Sequence, residues 1–128
     1  MSSPRSRLAD ALRVELAGAG VNVYAAPPDV LAVPAIVIAP ATPYRRDTAM
    51  TRELWAFDLL ALVTRPTDPA ASFDALDELI GVVRATILAM PGATWAGAQS
   101  IGDTLPVGGI TYLSAVCSAE ILSTSEES

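Results

Sequence analysis

Residues 53–63, ELWAFDLLALV, constrain the fold more than any other stretch of the chain. With the two-residue period of a strand, Trp55, Phe57, Leu59, Ala61 and Val63 share one face. Leu54, Ala56, Leu60 and Leu62 share the other, with Asp58 as its single charge. A strand apolar on both faces needs cover on both sides. The remaining sequence offers two helix patterns to supply it. Further cover is therefore expected from outside the chain, which points to an assembly protein.

The first helix is predicted over 3–19. Ser3 can cap it, Pro4 suits its first position, and Leu8, Leu12 and Leu16 form its apolar stripe. Gly18 and Gly20 end it. A short strand at 21–24 follows, then a proline-bearing extended loop over 25–34. AIVIA, 35–39, reads as an apolar second strand. Residues 40–51 hold Pro40, Pro43 and the run Tyr44-Arg45-Arg46-Asp47. They read as an irregular arm that orders on assembly. After the long strand come a turn at 64–69 and a second helix at 69–89, capped by Asp68 with Pro69 behind it. Phe73, Leu76, Ile80, Val83 and Ile87 make its predicted stripe. Met90-Pro91-Gly92 closes it. A fourth strand at 94–101, a glycine-rich connection at 102–109 and a last strand at 110–122 complete the chain.

The order α-β-β-β-α-β-β predicts an α+β fold, a mainly antiparallel sheet with both helices packed on one face. At 128 residues the chain reads as one domain, 1–122, with a frayed acidic tail at 123–128.

Composition narrows the chemistry. The chain has no His and no Lys, so all eight cations are Arg. The commonest general base and metal ligand is missing, as are Schiff-base and phosphate-loop lysines. A net charge of −6 argues against stable nucleic-acid binding, which rests on neutralising phosphates. No apolar run reaches the ~18–20 residues of a membrane span. Asp10 and Glu15 interrupt any signal-peptide core, so cytoplasmic residence is expected. No metal, cofactor or catalytic residue is expected, and the chain reads as a non-enzyme. Ser100, Ser114 and Ser118 have no His or Lys to activate them and read as ordinary strand serines. Asp74, Asp77 and Glu78 read as a solvated helix start. The single Cys117 reads as a buried free thiol.

Partner contact is the remaining class. Tyr44, Arg45 and Arg46 read either as a contact arm or as a solvated loop tip. Arg52 follows the arm and joins this candidate interface set. Trp55 reads either as a core residue under a helix or as an interface anchor. Arg5 and Arg7 stand in the first helical turn, where cations are mildly unfavourable. They either meet an acidic partner or are tolerated at the surface.

The plan as a whole resembles a phage family. LADALRVELAGAG leads into VNVYAAPPDVLAVPAIVIAP, followed by PYRRD and the strand ELWAFDLLALVTRP. PAASFDALDELIGVVRATI and the final GGITYLSAVCSAEIL complete the pattern. The chain is similar, over nearly its whole length, to the tail terminator (tail completion) proteins of long-tailed phages and prophages. The resemblance implies a structural subunit that forms a hexameric ring with copies of itself. Such a ring caps the tail tube protein, stops its polymerisation and docks a head-completion or connector protein. DNA passes through the channel in transit, without membrane contact. The implied location is the host cytoplasm during assembly, then the tail neck of the virion. Two alternatives stay open: another neck or head-closure connector, and a small cellular α+β ligand-binding or regulatory module that oligomerises.

Overall fold

A computed structural model describes residues 3–26, 32–47, 52–63, 69–103 and 113–123. Helix α1 spans Pro4–Leu16 and continues as a 3-10 turn, Ala17–Ala19. Its start follows the predicted chemistry: the Ser3 hydroxyl accepts the Ser6 N–H at 3.1 Å, and Pro4 occupies the first turn. Its end needs a left-handed residue, which Gly20 supplies at φ 70°. Leu8, Leu12 and Leu16 are buried, as the stripe required.

Strand β1 is Asn22–Tyr24, β2 Ala35–Asp47 and β3 Glu53–Val63. Helix α2 is Pro69–Ala89, followed by β4, Ala93–Asp103, and β5, Leu113–Ser123. The strands form one sheet in the order β1-β2-β3-β5-β4. Only β1 and β2 run parallel; β2–β3, β3–β5 and β4–β5 are antiparallel. The last strand of the chain thus lies inside the sheet, between β3 and β4.

The turn from α2 into β4 shows why glycine stands at 92. Gly92 has φ 76°, and a Cβ there would sit 3.3 Å from the Leu122 carbonyl oxygen. That close approach lets the Gly92 carbonyl accept the Leu122 N–H at 2.8 Å, which starts the β4–β5 ladder.

Both helices pack on one sheet face, and the main core lies between. Trp55, Phe57, Leu59, Ala61 and Val63 supply its floor, with Ala115, Cys117, Ala119 and Ile121 beside them on β5. Leu8 and Leu12 from α1 and Leu76, Val83 and Ile87 from α2 cover it. The α+β class and the element order therefore stand as read from the sequence.

Four expectations need correction. Residues 40–47 are not an irregular arm: they extend β2, which pairs with β3 on both sides of a register shift between Pro40 and Arg45. An edge position and a bulge let a strand carry proline. Residues 48–51 of the predicted arm lie outside the described residues. The α2 stripe is also rotated. Phe73 is 44% exposed, Ile80 is only partly buried, and Leu79 and Thr86 are buried instead. Thr86 can go inside because its hydroxyl donates to the Val82 carbonyl at 2.8 Å. β4 is longer than predicted and includes Gly102. Ser123 belongs to β5 rather than to a frayed tail. The Asp68 cap, the turn at 64–68, residues 104–112 and residues 124–128 lie outside the described residues.

Candidate subunit interface

Two surfaces gather the candidate interface residues. The first is the end of the β2–β3 ribbon away from β1. Pairing Arg45 with Trp55 and Arg46 with Leu54 sends successive arginines to opposite sheet faces. On the helix side, Tyr44 stands edge-on to Trp55 and to Phe57, each at a centroid distance of 5.6 Å. Arg5 of α1 donates to the Tyr44 hydroxyl at 3.0 Å and lies over its ring. The Arg45 guanidinium lies 4.0 Å from the Trp55 ring centroid and donates to Glu53. The Trp55 indole N–H donates to the same Glu53 oxygen at 3.1 Å. The Arg45 hydrogen bond lowers the Glu53 pKa, and the same bond raises that of Arg45. On the other face, Arg46 donates to Glu120 of β5 at 3.1 Å.

Tyr44, Arg45 and Trp55 are thus brought together on the helix side, Arg46 lies on the other face, and all four engage their own chain. Trp55 is 9% exposed and belongs to the core, while Arg46 and Arg52 are exposed. Within its own chain, Arg5 donates to the Tyr44 hydroxyl. Glu53 and Glu120, which hold the arginines, were not picked out from the sequence. The Arg46–Glu120 pair joins residues 74 apart, and no local pattern marks such a pair.

The second surface is the sheet face without helices. Alternation places Leu54, Ala56, Asp58, Leu60 and Leu62 of β3 there. Val37 on β2 and Val116 on β5 stand opposite Leu60. Val37 and Leu62 form a small second core with Tyr24, Val33 and Leu60 around it. Asp58 accepts one long bond, 3.4 Å, from the Ser118 hydroxyl opposite it. This face is an apolar field with one carboxylate near its centre and the Arg46–Glu120 pair toward one end. The unbroken apolar run AIVIA was the available signal that β2 is covered on both faces, Val37 included.

Of the remaining candidates, Ser114 and Ser118 stand on the helix-free face, opposite Leu62 and Asp58. Asp74, Asp77 and Glu78 are exposed on α2, and among the described residues no cluster of potential ligands could hold a metal ion. Ser114 and Ser118 sit within the β3–β5 ladder, and Ser100 within β4–β5. Cys117 is buried in the core.

Burial pushes the Cys117 thiol up to about 11. In the unfolded chain it ionises near the ordinary value of ~8.5. The folded chain therefore holds the proton longer. Stability from this group is intact below about pH 8.5 and is lost as pH rises toward 11. Native protein at pH 8 should leave a thiol reagent unreacted, and denatured protein should react fully. Cys117→Ala should flatten the decline of stability above pH 8.5. A native thiol that reacts as fast as free cysteine would contradict this burial.

No model of a known protein family matches the chain, and no curated protein matches its sequence.

Proposed function

We propose that this chain is a structural virion protein, a tail terminator that forms a ring on the tail tube and presents the docking surface for the head. The observation that carries the reading is the helix-free sheet face. Leu54, Leu60, Val116 and Leu122 are only partly covered there, across the central strands β3 and β5. An apolar field of this kind at the middle of a sheet is an interaction surface. An assembly subunit needs such a surface, and it is the part of β3 that the chain's own helices leave uncovered. The resemblance in sequence plan supplies the rest: self-association into a hexamer, with tail tube on one side and a head-completion protein on the other. In this reading DNA passes through the channel, and the net charge of −6 leaves it little to bind. The protein performs no catalysis.

The test mixes purified protein with polymerising tail tube protein. Capped tubes of uniform length, with rings at their ends by electron microscopy, are the expected result. Leu60→Glu should keep the fold by circular dichroism, because Leu60 is on the partly covered face, and should abolish capping. Tubes that grow on unchanged in the presence of the native protein would refute the reading.

A further inference from the structure

We propose that the outer groove between α1 and α2 receives an amphipathic helix of another protein, one whose apolar stripe is flanked on both sides by Lys or Arg. The groove lies in the helix layer, opposite the sheet face that carries the ring reading, so the two stand or fall separately.

Two hollows make the groove, of about 290 and 610 Å³, and Val82 lines both. The first brings Leu16 and Ala19 beside Ala75 and Leu79 of α2. The second brings Ala11 and Val14 beside Ala85 and Ala89. The two helices therefore run antiparallel, and α2 lines the groove from Ala75 to Ala89. A helix rises ~1.5 Å per residue, so this wall is about 21 Å long, room for roughly four turns of a third helix.

The alanines at 11, 19, 75, 85 and 89 keep the walls low, so a helix can settle between them. Val14 is 75% exposed, so the apolar lining continues to the outer surface of the molecule. Among the described residues the only charges in the lining are carboxylates, Glu15 on the α1 wall and Glu78 on the α2 wall. Both are exposed, and neither makes an ion pair among the described residues. An apolar cleft with a carboxylate on each wall complements a helix with an apolar stripe and a cation on each flank. An acidic helix would meet like charge on both sides.

A second copy is a poor source of that helix. α1 and α2 bury their own apolar stripes in the core, through Leu8 and Leu12 and through Leu76, Val83 and Ile87. The other described elements of a copy are strands and one 3-10 turn. The occupant is therefore a different protein.

The probe is a labelled Leu–Lys amphipathic peptide of about 18 residues, long enough to be helical, titrated against the full chain by fluorescence anisotropy. Micromolar binding is expected, and the matching Leu–Glu peptide should not bind. Glu15→Lys and Glu78→Lys should each weaken binding about 5-fold or more. Asp77→Lys makes the same charge change one residue away, on the far flank of α2, and should weaken it less than about 2-fold. Circular dichroism confirms that each variant is folded. Should a lysine unfold the chain, Glu15→Gln and Glu78→Gln should give the same order with smaller losses. Equal losses from Glu78→Lys and Asp77→Lys would mean general attraction to an acidic surface and would overturn the groove. Failure of the Leu–Lys peptide to bind, or equal binding of the Leu–Glu peptide, would overturn it too. If Val14→Asp instead breaks up an assembly of the native protein, the groove is a contact between copies and the proposal is wrong.

Discussion

Phe57→Ala lowers the stability of the chain by about 3–5 kcal/mol, the usual range for an aromatic removed from a closed core. The ring is fully buried at the middle of β3. Tyr44 and Trp55 flank it at centroid distances of 5.6 and 6.5 Å. Its cross-strand neighbour on β5 is Ala119, too small to swing into the vacated space. The rigid ladders on both sides of β3 prevent the strand from closing the hole. Domains of this size hold ~5–15 kcal/mol in total, so the variant sits near the limit of folding. The melting temperature should fall by roughly 10–20 °C, read by thermal circular dichroism. Leu88→Ala, at a half-exposed position on α2, should change stability by no more than about 0.5 kcal/mol. A Phe57→Ala loss as small as that would show that the aromatic cluster is not part of the core.

Tyr44→Ala is expected to cost about 2–4 kcal/mol, less than Phe57 because the side chain is only partly buried. It removes both edge-on ring contacts and the Arg5 partner together. Tyr44→Phe separates the terms: the rings stay, and only the hydroxyl accepting from Arg5 is lost, about 0.5–1.5 kcal/mol. Chemical denaturation of the two variants measures both. A solvated loop tip would give a change near zero for either. Such a result would restore the arm reading of residues 40–51 and remove Tyr44 from the structural cluster.

That arm shows where the sequence was hard to read. Strand β3 was legible because the apolar run from Leu54 to Val63 is broken by Asp58 alone and starts behind Glu53. The bounds of α2 were legible from Pro69 and from Met90-Pro91-Gly92. The outer half of β2 was not, because Pro40, Pro43 and two arginines carry loop composition. Proline is excluded from a ladder only where its missing N–H is needed, and beyond Val37 the described part of β2 has a neighbour only on its β3 side. The α2 stripe missed Leu79 and Thr86 for a different reason. A helical template selects apolar letters, but the covered arc of a helix is set by where its neighbours lie, and Phe73 falls outside it. Of the candidate interface, both faces of β3 were visible beforehand. The ion pairs that occupy Arg45 and Arg46 were not, since they depend on strand register.

The position of β5 inside the sheet also shapes how the chain must be made. β3 emerges early from the ribosome with only β2 as a neighbour, and both its apolar faces wait. Its second partner is encoded some 60 residues downstream, as the Asp58–Ser118 pairing shows. The sheet cannot close until that distant strand has been synthesised, so much of its stability arrives late and together. Any message that stops before Leu113 therefore yields no half-working product. It yields an exposed, sticky strand that pairs with whatever is near.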